Sequence, residues 1–295
     1  MNKKYSLDEY VNIINKSLET SIDNCSFGED IVHNAMRYSL GIGGKRIRPV
    51  LVLEFCRLCG GDINKALPFA AAIEMIHTYS LIHDDLPCMD DDDMRRGMPS
   101  CHKRFGEEYA LLAGDGLLTR AFGIIAESDI AKETPEIAVK AIAELSSLAG
   151  ANGMIGGQVV DLRNENKACS LDVLQTMDSL KTGALIRCAA LLGVISAKGS
   201  ETQHEAAVTY ADNLGHAFQI VDDILDVTGD EKELGKPIGS DADSNKSTYV
   251  TILGIDKSKE YAETLTQKAI SGLDIFGEEA DFLRNLALSL ISRKN

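Results

Sequence analysis

Six aspartates fall within ten residues in the segment His83-Asp84-Asp85-Leu86-Pro87-Cys88-Met89-Asp90-Asp91-Asp92-Asp93. Like charges at this density raise one another's pKa unless cations neutralise them. The run is joined to a strongly apolar stretch, ALPFAAAIEMIHTYSLI, that ends at Ile82. Pro87 should end that helix or bend it, since proline lacks the N–H and clashes with the preceding turn. Asp84 and Asp85 are therefore expected at the buried end of a helix, with Asp90 returning on a loop. A solvated acidic loop is the ordinary explanation for such a run. Fusion to a core helix, with Arg95-Arg96 following at once, argues for metal ligation instead.

A second carboxylate set lies at Gln219-Ile220-Val221-Asp222-Asp223-Ile224-Leu225-Asp226, with no helix breaker inside it. Asp222 and Asp226, four apart, share a helical face; Gln219 lies one turn earlier on it, and Asp223 sits about 100° round. Ile220, Val221, Ile224, Leu225 and Val227 make the rest of this helix apolar, and carboxylates amid such residues need partners. Hard oxygen ligands favour Mg²⁺, which keeps some waters and takes one or two carboxylates per ion. Two clusters on core helices are expected to form facing walls of one cavity, bridged by metal ions.

The complement is basic. Gly43-Gly44-Lys45-Arg46-Ile47-Arg48-Pro49 puts three cations within four residues, on a glycine turn at a helix start. Helix N-termini favour anions, and glycines let backbone N–H groups approach them. Arg95-Arg96, Lys181-Thr182, Lys236 and Lys246 are further cations beside glycines or the acidic segments. Arginine pairs bidentately with phosphate, whereas lysine acts as a point charge. Carboxylates for a metal and cations for phosphate, set among apolar helices, imply a substrate with a phosphorylated head and a hydrophobic body.

The elements that must hold these residues are helical. Apolar positions recur at three- and four-residue steps over roughly 7–24, 29–41, 47–60, 66–85, 107–127, 134–149, 151–163, 170–198, 202–228, 257–272 and a last segment, EEADFLRNLALSLISRK. Sustained alternation of the kind strands need is hard to find. Breaks fall at Gly41–Gly44, at Gly60-Gly61, at Pro87 and Pro99, and across 229–247. No Pro/Ser linker, composition step or fixed-period repeat divides the chain. The expected architecture is all-α, one domain over residues 1–295.

Bulk properties bound the function. The 295 residues carry 30 Lys+Arg against 45 Asp+Glu, a net charge of −15. That balance argues against nucleic acid as partner, since a phosphate-backbone footprint needs a basic face. With no run of eighteen apolar residues, no membrane span is expected. The N-terminal MNKKYSLDEYVNIINKSLE reads as an amphipathic helix rather than a signal core, and a cytoplasmic location is the expectation. Seven cysteines at irregular spacing do not form a disulfide framework. Cys56 and Cys59 make a lone C-x-x-C, read as two small apolar residues on one helical face rather than a zinc site.

Taken together, GGKRIRP (43–49), EMIHTYSLIHDDLPCMDDDDMRRGMPSCH (74–102), GGQVVDL (156–162), KTGALI (181–186), QIVDDILDVTGD (219–230), LGKPIGSD (234–241) and NKSTY (245–249) resemble the motifs of bacterial short-chain trans-prenyl diphosphate synthases, and among them most of all the farnesyl diphosphate synthases. The likeness runs in order from about residue 25 to the C-terminus. It implies a helical bundle around a deep central cavity, usually a homodimer. It also implies a reaction in which dimethylallyl or geranyl diphosphate ionises with Mg²⁺ help, up to three ions with substrate bound, and the allylic carbocation is attacked head to tail by isopentenyl diphosphate. The chemistry needs electrostatics and exclusion of water rather than a protein nucleophile.

The resemblance also assigns roles. Asp84 and Asp90 match the metal ligands of the first motif, with Asp85 supporting. Asp222 and Asp226 match those of the second, with Asp223 acting from behind them. Lys45, Arg48, His77 and Arg96 match the isopentenyl diphosphate site. Arg95, Lys181, Thr182, Gln219, Lys236 and Lys246 match the allylic diphosphate site, and Gln158 and Asp161 are expected to line the cavity. Tyr79, five residues before Asp84 and about 7.5 Å along a helix axis from it, is expected with Ser80 to limit product length, which points to the C15 product. The C20 and C10 products stay open. The sequence departs from the family pattern at Val250, where proline is usual, and at Ser100, where threonine is common.

Three rivals share some of these features. A terpene cyclase also ionises a prenyl diphosphate between aspartate clusters, but it has no use for a Lys45–Arg48–His77 site and would not consume isopentenyl diphosphate. A metal phosphohydrolase built on His83-Asp84 would want more histidine ligands than six scattered residues supply. A non-enzymatic subunit of a synthase heteromer could lose its aspartates, and this chain keeps both sets.

Overall fold

The computed structural model describes residues 3–22, 30–165, 167–228 and 247–292. They form two compact units, one of the described residues up to 143 with 195–198, the other of those from 144 to 194 with those from 199 on.

In the first unit, α1 (Leu7–Ser21) starts at a capping box in which the Ser6 hydroxyl accepts from the Glu9 N–H and the Glu9 carboxylate accepts from the Ser6 N–H. Next come α2 (Ile31–Gly41), α3 (Ile47–Leu58) and α4 (Ile63–Asp84). α3 is buried without a break from Pro49 to Arg57, and α4 takes Pro68 in its second turn. Buried carboxylates on these helices are each claimed by a buried cation. Glu54 accepts from Arg57 through both oxygens and from the Tyr10 hydroxyl, which ties α1 to α3. Glu74 accepts from Arg46 Nη1 at 2.6 Å, and Arg46 also donates to the Leu40 carbonyl and to Asn15.

α4 packs against α6 (Glu107–Ala126). Between them in sequence lies the only sheet among the described residues, a hairpin of β1 (Met94–Arg95) and β2 (Met98–Pro99). Its turn residues Arg96 and Gly97 both have positive φ, +53° and +76°, as a tight two-residue hairpin turn requires. Strands of two residues leave no alternation for a sequence to show. The short α5 (Cys101–Phe105) and α7 (Asp129–Glu133) precede α8 (Pro135–Ala149).

The second unit holds α9 (Met154–Asn164), α10 (Leu171–Asp178), α11 (Ala184–Ser196), α12 (Glu201–Thr228), α13 (Tyr249–Leu253), α14 (Ile255–Ser271) and α15 (Asp281–Ile291), with a 3₁₀ stretch at Asp274–Ala280. α10 and α11 are one continuous helix, as the periodicity over 170–198 predicts, but Ser179–Gly183 between them is wound as a π turn. Ala217, Ile220, Val221, Ile224, Tyr249 and Leu265 form the core beside the second aspartate set. Val227 lies outside it, 51% exposed.

Two helical runs, Glu107–Ala126 and Leu171–Ser196, are long and apolar enough by composition to cross a membrane, which the sequence reading did not anticipate. Most of the second is buried inside the protein, as a core helix is. Cys56 is buried and Cys59 closes α3; burial pushes their thiols up to about 11 and about 12, so both stay protonated. Cys25 lies outside the described residues.

Candidate active site

α4 ends at Asp84, two residues earlier than Pro87 alone dictates, with Asp85 as its cap. The chain then doubles back: the Asp90 N–H donates to the Asp84 carbonyl at 2.9 Å. Asp84 and Asp90 are thereby held at one place, with Asp84 half-buried and Asp90 exposed. Asp85 has a different fate. It is 2% exposed and is gripped by Arg95 Nε and Nη2, while Arg95 also reaches Asp92 at 3.1 Å. Burial pushes the Asp85 carboxyl up from the usual range, and the Arg95 guanidinium opposes the shift. Burial alone would lower Arg95, but the Asp85 hydrogen bond and charge hold it above its ordinary value. Asp85, Arg95 and Arg96 line a small cleft with Thr78 and Ile82.

The basic cluster is built on the turn before α3. Gly43 and Gly44 have φ of +94° and +131°, and Arg46 follows at +50°. A Cβ on Gly44 would meet Arg96 Cζ at 2.5 Å, so glycine is what lets the Arg96 guanidinium lie against this turn and donate to the Gly43 carbonyl. Arg48 Nη1 lies 3.4 Å from His77 Nε2. Burial holds His77 well below the ordinary histidine range, and the charges of Arg48, Arg96, Arg46 and Arg95 push the same way. The ring is therefore neutral and accepts from Arg48. Burial lowers Arg48 to about 10, with Arg96 contributing, and its Nε is buried without a hydrogen-bond partner. Arg96 is lowered by burial, with Arg46 and Arg95 adding to it. Lys45 is exposed at the rim. Of the three cations in the motif, Arg46 is spent on Glu74, whereas Arg48 keeps a buried Nε without a hydrogen-bond partner.

In the second unit the π turn carries Lys181 and Thr182. π turns recur at functional sites because they re-aim side chains within a helix. Two glycines make room for this one. A Cβ on Gly157 of α9 would sit 2.2 Å from the Lys181 backbone N, and one on Gly215 of α12 would sit 3.1 Å from Gly183 Cα. Lys181 Nζ meets Asp161 Oδ2 at 2.5 Å. Gln219, Asp222 and Asp226 are half-buried on α12. Asp223 Oδ2 accepts the Tyr249 N–H at 2.7 Å, so it holds the start of α13. Lys236 and Lys246 lie outside the described residues.

Two residues beside Asp161 and Asp222 carry no assigned role in the sequence reading. Asp178, 6% exposed, is pushed up to about 7, by burial first, then by Asp161 and Asp222 against the Tyr249 hydroxyl and Lys181. Tyr249 is fully buried beside it. Neither sits in a charge cluster, so spacing gave no signal. Tyr79 is 5% exposed, with its ring 5.7 Å from that of His83, and burial followed by Asp84 pushes its hydroxyl up to about 12. The Ser80 hydroxyl donates to the His77 carbonyl at 2.9 Å. His83 Nε2 is 3.1 Å from the Leu111 carbonyl, which uses the imidazole to join α4 to α6 and leaves little for a phosphohydrolase. The donors that Asp84, Asp90, Asp222 and Asp226 offer are carboxylate oxygens alone, a hard set that fits Mg²⁺.

The family model for polyprenyl synthetase matches residues 29–277. A farnesyl diphosphate synthase of Micrococcus luteus is 42% identical over 285 residues, covering 97% of this chain and 96% of its own. The large subunit 1 of a heterodimeric chloroplast geranylgeranyl pyrophosphate synthase of Arabidopsis thaliana is 47% identical over 264 residues, 87% of this chain and 70% of its own. Among solved structures, an FPP/GFPP synthase of Zymomonas mobilis superposes with a TM-score of 0.86 at 35% identity, covering 97% of each chain.

Proposed function

The chain belongs to the polyprenyl synthetase family, and on that premise we propose that it is a prenyltransferase condensing isopentenyl diphosphate with dimethylallyl or geranyl diphosphate to give farnesyl diphosphate. The family match spans both structural units, which supports reading them as one catalytic domain. The observation that carries the proposal is the Arg48–His77–Arg96 cluster. Burial and then the neighbouring charge of Arg96 lower Arg48, burial and the surrounding arginines lower His77, and the one carboxylate named among the influences on Arg48 and Arg96, Glu74, is bonded to Arg46. A partly buried cationic group of this kind, open at Arg96, favours an incoming anion.

Lys45, Arg48, His77 and Arg96 bind and orient the diphosphate of isopentenyl diphosphate. Neutral His77 accepts from Arg48 and so aims the guanidinium. Arg95, Lys181, Thr182 and Gln219, with Lys236 and Lys246, take the allylic diphosphate. Asp84, Asp90, Asp222 and Asp226 would hold Mg²⁺, which when bound neutralises the diphosphate charge. The allylic C–O bond breaks, the new C–C bond forms from the isopentenyl double bond, and a proton leaves to the departed diphosphate. Arg95 on Asp85 fixes the aspartate loop. Tyr79 and Ser80 limit the chain.

A homodimer in the cytoplasm completes the reading. α6 leaves Tyr109, Leu111 and Leu112 from 40 to 49% exposed, apolar surface that a second copy would cover. The six described cysteines are all free thiols, as a reducing compartment keeps them.

The test is incubation of the chain with labelled isopentenyl diphosphate, dimethylallyl diphosphate and Mg²⁺, with products separated by length. A C15 product is expected. No consumption of isopentenyl diphosphate would overturn the reading in favour of a cyclase. Tyr79→Ala is expected to lengthen the product, and an unchanged distribution would remove Tyr79 from length control.

A further inference from the structure

The hairpin that places Arg95 and Arg96 also gathers a second set of ligand atoms. His102 on α5 is 6% exposed, and its Nε2 is buried with no hydrogen-bond partner. That nitrogen points toward the acidic loop, 3.9 Å from Asp91 Oδ1. One ring nitrogen of His102 and one carboxylate oxygen each from Asp91 and Asp93 all lie within 4.8 Å of one another. A buried polar atom left unpaired is destabilising, and the other ring nitrogen is already served, with Nδ1 3.0 Å from Ser100 Oγ. Asp91 holds a positive φ of +51°, unusual for a residue other than glycine. Asp93 is fixed through its carbonyl, which accepts from the Ser100 N–H at 2.9 Å. Lys103 Nζ meets Asp93 Oδ1 at 2.7 Å, leaving that carboxylate its second oxygen.

We propose that Asp91, Asp93 and His102 bind a divalent first-row metal of the Zn²⁺ type, at a site separate from the all-oxygen ligands Asp84 and Asp90. The imidazole makes the difference. Nitrogen suits Zn²⁺ and its neighbours, whereas Mg²⁺ prefers carboxylate, carbonyl and water. Three protein ligands with a water as the fourth satisfy a tetrahedral ion. Ser100 supplies the outer partner, because an Nδ1–H donated to its hydroxyl leaves the Nε2 lone pair facing the loop. The ligands come from both flanks of the hairpin, so the ion would brace the acidic loop against α5. The proposal stands independently of prenyl transfer.

The test is a Zn²⁺ titration of the full chain by calorimetry in excess Mg²⁺, with ¹⁵N spectra of the histidine rings recorded alongside. One Zn²⁺ per chain is expected, with a shift of the His102 Nε2 signal and a Tm that rises with added Zn²⁺. The double variant D91N/D93N changes two exposed side chains, so it should fold, and it is expected to bind Zn²⁺ more than about tenfold more weakly. Asp84→Asn is expected to leave Zn²⁺ affinity unchanged. Equal affinity in wild type and D91N/D93N, a His102 Nε2 signal that Zn²⁺ does not move, or loss of the site in Asp84→Asn would each overturn the assignment.

Discussion

The two aspartate sets are built by opposite devices. The first sits where a helix stops, and its geometry comes from the loop that carries Asp90 back to the Asp84 carbonyl. The second sits within an unbroken helix, so periodicity alone puts Asp222 and Asp226 on one face. Their cations differ in the same sense. Near the first set, Arg48, Arg96 and His77 are crowded together, while near the second Lys181 already holds Asp161 at 2.5 Å. On the proposed reading, the first arrangement attracts an anion directly, and at the second an anion displaces a carboxylate from Lys181. Within each set, moreover, one aspartate serves structure: Asp85 through Arg95, Asp223 through the Tyr249 N–H.

The largest expected effect breaks that division between ligand and support. Asp84→Asn should lower kcat by about 10²–10³-fold, the scale of losing one group that stabilises transition-state charge. Asp223→Asn keeps an oxygen for the Tyr249 N–H, so its loss of kcat should stay within about tenfold. Steady-state kinetics on both variants checks this, and equal losses would erase the distinction. A neighbouring pair sharpens it. Arg46→Met strands buried Glu74 and should cost about 3–5 kcal/mol in urea unfolding. Lys45→Ala, at an exposed position, should change stability by less than about 0.5 kcal/mol while raising the KM for isopentenyl diphosphate more than that for the allylic substrate. Equal shifts in both KM values would mean the two diphosphate sites are misassigned.

Much of this was legible in the chain because charge clusters and helical period are local. The aspartate sets, the glycine turn before Arg48 and the all-α class all follow from neighbours in sequence. What escaped depends on residues far apart. Nothing around Arg46 distinguishes it from Arg48 until α4 brings Glu74 beside it, 28 positions on. A π turn adds one residue to a helix without changing its composition, so SLKTG reads as ordinary helix. Asp178 and Tyr249, 71 apart in number (249 − 178), meet only through folding. The hairpin at Met94–Pro99 is too short to alternate.

The smallest expected effects concern the glycines that flank the π turn, and there two terms of similar size compete. Replacing glycine by alanine inside a helix gains about 1 kcal/mol from propensity. At Gly215 the added methyl would lie 3.1 Å from Gly183 Cα and 3.6 Å from the Ile186 Cδ1 methyl, so a shift of a few tenths of an ångström relieves it. The propensity gain then roughly offsets the crowding, and Gly215→Ala should unfold within about 1 kcal/mol of wild type. At Gly157 the methyl would lie 2.2 Å from the Lys181 N and 2.6 Å from its Cα, which are backbone atoms with no rotamer to change. Overpacking of this kind costs about 1–3 kcal/mol, and it also displaces the turn that aims Lys181. Gly157→Ala should therefore lose stability and raise the KM for the allylic diphosphate, with the KM for isopentenyl diphosphate less affected. Were both alanine variants equally mild, the close approach of α9 to the π turn would have no part in positioning Lys181.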